Sequence, residues 1–254
     1  MDRDVPRLGP EERRIVIWRV VKVLWFMLNR VWINGWLRLT GSRNIESRLL
    51  QDFRRWSDFV LDTFDADLTI VGREHLPTAE GRKIIIMSNH QSQLDIPVLT
   101  KAMDRITGFV AKRELARIPL LHYWMRQLGC VIIDRSDKRG AHQALEKAAK
   151  QMTGKPLVVF PEGTRSRDGS LLPFKLGGTR LALLAQAIIV PVLIEGARDA
   201  VENLKAHKNK GGRIPVRLTI FPPLDTKGLD EGKASQNIIK EYVEKCWRNP
   251  NAPI

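Results

Sequence analysis

Cysteine is almost absent from the chain: of 254 residues only Cys130 and Cys246 are cysteines. Two thiols supply neither a disulfide framework nor a cysteine-based zinc site, and they fit a reducing, cytoplasmic setting. Cys130 lies in an apolar stretch that reads as a strand and is expected to be a small core residue. Histidine is scarce too, five residues in scattered contexts. No ligand cluster for a metal emerges, which argues against a metal-dependent hydrolase. Charged residues make up 28% of the chain, too many for a polytopic membrane protein. There is no internal repeat and no low-complexity tract. No signal peptide is expected, because Met1 to Glu12 is charged, carries Pro6 and Pro10, and leads into a segment without a convincing cleavage site. Acidic residues are outnumbered, 28 against 42 lysines and arginines, for a formal net charge of +14. That excess asks for an anionic partner: nucleic acid, an anionic membrane or a phosphorylated substrate. A generally solvated basic surface is the plainer alternative.

What the chain does have, first, is a tryptophan-rich apolar segment from Arg13 to Leu39. A bilayer span takes about 20 consecutive, mostly apolar residues, and here Arg19, Lys22, Asn29 and Arg30 interrupt the run. On a helical wheel of about 100° per residue these four and Asn34 gather on one side. Ile17, Val21, Leu24, Leu28 and Val31 lie opposite, flanked by Trp18, Trp25, Trp32 and Trp36. The pattern predicts an interfacial helix whose tryptophans and cations suit the headgroup region. Gly41 and Ser42 break it, and Arg48 to Phe64 resumes helical spacing through Leu49, Leu50, Phe53, Trp56, Phe59, Val60 and Phe64. Residues 1–65 therefore read as a membrane-associated pair of antiparallel amphipathic helices that do not cross the bilayer. Packing of both helices on the rest of the chain and a shallow transmembrane insertion are the alternatives.

From Ala66 onward the pattern alternates. Strands are expected over Leu68–Val71, Lys83–Met87, Gly108–Ala111, Cys130–Ile133, Leu157–Phe160, Ile188–Ile194 and Val216–Ile220. Helices are expected over Leu94–Met103, Arg139–Met152, Phe174–Gln186 and Ala234–Trp247. This alternation predicts an α/β domain over residues 66–254, a mostly parallel central sheet flanked by helices. Arg198 to Gly212 reads as a polar, basic surface loop.

Two polar motifs each follow a predicted strand, and so are expected at one rim of the sheet. The first is Asn89-His90-Gln91-Ser92-Gln93-Leu94-Asp95. If the helix begins near Ser92 or Gln93, His90 precedes it and folds back over Asp95 in an early turn. The carboxylate would accept one ring N–H and favour the imidazolium, leaving the other nitrogen to deprotonate a hydroxyl. A helix-capping histidine is the plain alternative. Asn89, Ser92 and nearby backbone N–H groups are candidates to support the site or an oxyanion. The second motif is Phe160-Pro161-Glu162-Gly163-Thr164-Arg165-Ser166. Gly163 allows close backbone approach, Thr164 offers a hydroxyl, and Arg165 can grip a phosphate with two N–H groups. Glu162 has the wrong sign for phosphate and is expected to orient Arg165 or bond an acceptor hydroxyl. Lys112, at another strand end, adds a positive charge; Arg135 is a further candidate, weighed against a surface ion pair.

His90 and Asp95 in an HxxxxD pattern, followed by the Phe160–Ser166 motif, resemble the glycerolipid acyltransferase family, and within it the bacterial 1-acyl-sn-glycerol-3-phosphate acyltransferases. Two further blocks fit. One runs from Val110-Ala111-Lys112-Arg113-Glu114-Leu115 through Pro119 and Gly129 to Ile132-Ile133-Asp134-Arg135, and the other is Val190-Pro191-Val192. The resemblance covers roughly Leu68 to Phe221. It implies acyl transfer from a thioester, acyl-CoA or acyl carrier protein, to the sn-2 hydroxyl of lysophosphatidic acid, giving phosphatidic acid in phospholipid synthesis. It implies His90 and Asp95 as catalytic residues, and Lys112, Glu162, Gly163, Thr164 and Arg165 at the acceptor, with Arg135 in reserve. The acceptor's own hydroxyl attacks, so no serine or cysteine nucleophile is required, and neither cofactor nor metal is expected. One departure stands inside the first motif: Gln93-Leu94 replaces the bulky aromatic of many members, and is expected to touch packing or acyl preference rather than the base.

Glycerol-3-phosphate or another lysolipid is the alternative acceptor. A nucleic-acid-binding protein is the alternative of another class, disfavoured because the tryptophans sit in the N-terminal apolar stripe instead of among basic residues on one surface. The expected location is the cytoplasmic face of the inner membrane, on anionic phospholipid.

Overall fold

The computed structural model describes residues 9–39, 45–78, 81–134, 138–152, 155–202 and 212–250. Its strands are β1 (Ala66–Val71), β2 (Ile84–Ser88), β3 (Gly108–Lys112), β4 (Val131–Ile133), β5 (Leu157–Val159), β6 (Ile188–Glu195), β7 (Ile214–Ile220) and β8 (Leu224–Asp225). They form one sheet in the order β1-β7-β6-β2-β5-β3-β4, with β8 paired to the start of β6. From β6 to β4 every pairing is parallel. β7 runs antiparallel to β6 and carries β1 with it in parallel. The fold is thus mixed α/β with a mostly parallel sheet between helices. The helices are α1 (Pro10–Leu39), α2 (Ile45–Thr63), α3 (Asp95–Met103), α4 (Pro119–Leu128), α5 (Lys138–Gln151), α6 (Gly177–Ala185), α7 (Asp199–Glu202) and α8 (Lys233–Arg248).

The central strands are apolar up to their last residues, Ser88 on β2 and Glu195 on β6, because both faces are covered. On β2, Ile84 and Ile86 point into a core shared with α2, α3 and α4. Ile85 and Met87 point into a second core with α5, α6 and α8. The period-two alternation of strand side chains splits each of β2, β5 and β6 between the two cores in this way.

Several expected boundaries move. Pro119–Leu128 is a helix where none was expected, although its signals are present. Pro119 sits at the first turn, and Gly129 ends the helix in a left-handed conformation, φ 75°, with its N–H on Arg126. Phe174 to Leu176 stays outside α6, which begins at Gly177. Cys130 precedes β4 instead of lying within it. It is half-buried, with its N–H on the Met125 carbonyl, and burial pushes its thiol up to about 11. Of the Arg198–Gly212 segment, Asp199–Glu202 is the short helix α7, and residues 203–211 lie outside the described residues.

The N-terminal helices pair, but α1 turns its polar stripe inward. Asn34 Nδ2 donates to buried Asp52 Oδ2 on α2 at 2.9 Å, and Arg30 approaches the other Asp52 oxygen at 3.5 Å. Arg19 pairs with Asp65, its guanidinium 5.5 Å from the Phe64 ring centre. Phe26 stacks on Phe59 of α2 at 4.9 Å. Arg19 and Arg30 are therefore paired with carboxylates of this chain, exposed Asp65 and buried Asp52, and do not stand free as the wheel suggested; Lys22 and Asn29 remain exposed. The face left outside is apolar: Ile17, Trp18, Val21, Leu24, Trp25, Leu28, Trp32 and Trp36, with Trp25 67% and Trp32 75% exposed. Among the described residues no helix is long and apolar enough to cross a membrane.

Candidate active site

β2, β5 and β3 are neighbours and parallel, so the residues after each emerge at one rim. After β2 the chain turns through His90 into α3, which begins at Asp95, one residue after the expected helix start at Leu94 and past the Ser92 or Gln93 start considered for the His90 turn. The turn places His90 Nδ1 2.7 Å from Asp95 Oδ2. A carboxylate only accepts, so Nδ1 carries the proton and Nε2 keeps a lone pair. The same Oδ2 accepts the N–H groups of Gln91 at 2.7 Å and Ser92 at 2.9 Å. Asp95 is fully buried, while the His90 side chain is 19% exposed. That is the geometry of an oriented general base with one nitrogen open to a reactant.

The segment after β5 is built around that histidine. Phe160 stacks on the imidazole with ring centres 4.0 Å apart and planes 17° from parallel. Ser166 N–H donates to the His90 carbonyl at 2.8 Å, and Gln91 Nε2 donates to the Gly169 carbonyl at 3.2 Å. Glu162 is buried and accepts the His90 N–H on Oε1 at 3.1 Å and the Leu172 N–H on Oε2 at 3.2 Å. Burial pushes its carboxyl up to about 7, against those two bonds, with the nearby Asp95 charge adding to the rise. Among the described residues both oxygens bond backbone N–H groups and neither meets Arg165, so instead of orienting that arginine it ties the two motifs together.

Gly163 then takes a left-handed φ of 71°, which an L side chain rarely adopts. The turn leaves Thr164 and Arg165 exposed. Behind them Asp168 accepts the Ser170 hydroxyl and N–H and the Ser166 hydroxyl, which hold its carboxyl down to about 2 and brace the loop. Lys112 ends β3, exposed, two strands from β2 and so about 10 Å along the rim by ordinary strand spacing. Among the described residues neither Lys112 nor Arg165 has an ion-pair partner, so two cations stand open on the rim that holds the histidine. Arg135 lies outside the described residues.

A sequence model of the family described as Acyltransferase matches residues 67–195, about half of the chain and the part that contains every residue of this rim. The chain belongs to the acyltransferase family. It is 31% identical to a 1-acyl-sn-glycerol-3-phosphate acyltransferase alpha of Mus musculus over 70% of its length, and 34% identical to a 1-acyl-sn-glycerol-3-phosphate acyltransferase of Limnanthes douglasii over 73%. It spans 62% of the length of each. Among solved structures it resembles the 1-acyl-sn-glycerophosphate (LPA) acyltransferase PlsC from Thermotoga maritima, with a TM-score of 0.66 and 26% identity, covering 93% of this chain and 99% of that one. That overlap takes in the acyltransferase fold and the N-terminal helices.

Within this acyltransferase domain the Asn89 side chain, buried, donates to the Ile194 carbonyl at 2.8 Å and accepts the Ile194 N–H at 2.7 Å, so of the two expected roles it takes support of the site, pinning the end of β2 to β6. Ser92 Oγ, buried, accepts the Leu94 N–H at 3.3 Å and braces the turn into α3. Phe160 was missed as an individual residue. Its signal was adjacency alone, since it directly follows the buried strand β5, the neighbour of the β2 strand that leads to His90.

Proposed function

We propose that this acyltransferase moves an acyl chain from a thioester, acyl-CoA or acyl carrier protein, to the sn-2 hydroxyl of lysophosphatidic acid, forming phosphatidic acid. The observation that carries the reading is the oriented His90–Asp95 pair on the rim that also bears the cations Lys112 and Arg165, which have no ion-pair partner among the described residues. His90 Nε2 takes the proton of the acceptor hydroxyl as its oxygen attacks the thioester carbonyl. The tetrahedral intermediate collapses with expulsion of the thiolate, which receives a proton from the imidazolium. The acceptor oxygen ends in an ester, and no enzyme nucleophile is consumed. Asp95 stabilises the imidazolium between the two proton transfers. Arg165, Thr164 and Lys112 bind the acceptor phosphate, and Gly163 lets the loop close on it. No cofactor enters this scheme.

The exposed apolar face of α1 supports a place for the acceptor. Tryptophans on an unpartnered apolar helix face suit the interface of a bilayer. We place the protein on the cytoplasmic face of the inner membrane, monotopic, with α1 lying in the headgroup boundary. Residues 1–65 then form the membrane unit and 66–254 the transferase domain. The test is a panel: purified protein with acyl-CoA or acyl carrier protein thioester and, in turn, lysophosphatidic acid, glycerol-3-phosphate and uncharged or zwitterionic lysolipids. Phosphatidic acid from lysophosphatidic acid in clear excess over the others is expected. Equal or better turnover of glycerol-3-phosphate would replace the acceptor.

A further inference from the structure

We propose that Phe160 is a positioning residue for His90, whose ring face holds the imidazole in its reactive plane and favours the protonated form that arises during turnover. The proposal rests on reading His90 as the general base.

Four contacts fix this histidine. Asp95 holds the ring edge at Nδ1, Glu162 and Ser166 hold the backbone N–H and carbonyl, and Phe160 covers one ring face. Glu162 and Ser166 set the backbone, whereas Phe160 alone of these four lies on the ring face and sets ring rotation. Without a face contact the imidazole could swing about the line through Nδ1 and the carboxylate, and Nε2 would lose its aim. Phe160 is itself backed by Phe109 of β3, ring centres 6.5 Å apart and planes 20° from parallel.

The stack also acts on charge. An aromatic face carries negative quadrupole density, so a cation above it is stabilised, more strongly when water is excluded. The charged groups facing His90 are Asp95 from α3 and Glu162 from the segment after β5, both carboxylates. Asp95 binds the ring edge directly. Glu162 reaches the histidine only through its backbone N–H. Phe160 therefore adds a stabiliser of the imidazolium on a side that neither carboxylate covers.

The test separates an aromatic face from mere apolar cover. Phe160→Leu and Phe160→Met keep the cover and remove the π face, and Phe160→Tyr keeps both. His90 is titrated by NMR in protein labelled at histidine, its signal assigned by loss in His90→Ala. In Phe160→Leu the His90 midpoint should fall by about half a unit to one unit. The acidic limb of kcat/KM should move the same way, since that limb reports the base in free enzyme. The plateau rate should drop several-fold with KM unchanged, and Phe160→Tyr should restore midpoint and rate. Phe160→Met answers the same question if the leucine variant folds poorly. A midpoint unchanged or raised in a folded leucine or methionine variant overturns the proposal. Full turnover by His90→Ala would instead overturn the general-base reading, while the NMR midpoints would still report on the stack.

Discussion

His90 Nδ1 and Asp95 Oδ2 stand 2.7 Å apart, and that one carboxylate oxygen also collects the N–H groups of Gln91 and Ser92. Asp95 Oδ1 is buried with no hydrogen-bond partner among the described residues. Loop order and tautomer thus depend on the same atom, and among the described residues His90 is the only ion-pair partner of this carboxylate.

Asp95→Asn separates these roles. An asparagine oxygen in the Oδ2 position keeps all three N–H bonds, with the amide nitrogen in the place of Oδ1. The loop should survive, but the imidazolium loses its anion. We expect kcat/KM to fall by roughly 10²–10⁴-fold with little change in melting temperature. Asp95→Ala should lose comparable activity and also about 1–2 kcal/mol of stability, because the loop N–H groups lose their acceptor. Steady-state kinetics and thermal melts of both variants check the split.

Glu162 carries a pH signature. Its folded carboxyl titrates at about 7, above the ordinary carboxyl near 4.5, because burial penalises the charge. Between those values the folded protein holds more protons than the unfolded one. This group's contribution therefore favours folding most at low pH, weakens as pH rises from about 4.5 to about 7, and is then constant. Glu162→Gln removes that titration and turns one N–H of the amide against a backbone donor. The melting temperature of the native protein minus that of the variant should be largest near pH 4.5 and shrink toward pH 7. A difference that grows over this window would contradict the assignment.

Arg165 stands exposed beyond the Gly163 turn with no ion-pair partner among the described residues. If it binds the acceptor phosphate, Arg165→Ala loses a charge-assisted contact of roughly 1.5–3 kcal/mol. The acceptor KM should rise by about 10–150-fold while the thioester KM stays put. Arg165→Lys should recover only part, because the planar fork is gone. Separate titrations of the two substrates decide it, and an equal loss for the donor would move Arg165 to the donor side.

Membrane attachment should be apolar in character. Arg19 and Arg30 are committed to Asp65 and Asp52, and the outward face of α1 is aliphatic and tryptophan-rich. Sedimentation with anionic vesicles should therefore persist at high salt, where exposed charges are screened within about 3 Å. Replacing Trp25 and Trp32 together by serine should lower vesicle partitioning by about tenfold or more, since a 1.4 kcal/mol loss suffices for that. Release by salt alone would return attachment to surface cations.

The parallel α/β core was legible because its strands are buried on both faces and read as unbroken apolar runs such as Ile84–Met87 and Leu157–Val159. α4 was missed although its signals, Pro119 at the start and Gly129 at the end, stood in the sequence. The reversal of β7 was not legible, since a strand's direction depends on which neighbour it finds, and Val216–Ile220 suits either. The inward turn of the α1 stripe was hidden for the same reason. A wheel shows that Arg19, Arg30 and Asn34 share a side, but not that Asp52 and Asp65 wait opposite. At the rim, residue types announced themselves through spacing, whereas the work of Glu162 and Asn89 lay in backbone contacts 72 and 105 residues away. No local pattern encodes such bonds.

The most direct measurement is single-turnover formation of phosphatidic acid from labelled lysophosphatidic acid and an acyl thioester, by the native protein and by His90→Ala bound to the same vesicles. The native protein should form the labelled product. The variant, folded and still binding both substrates, should be slower by about 10²–10⁴-fold. Product formation by His90→Ala at the native rate, or none by the native protein from any phosphorylated lysolipid, would contradict the account.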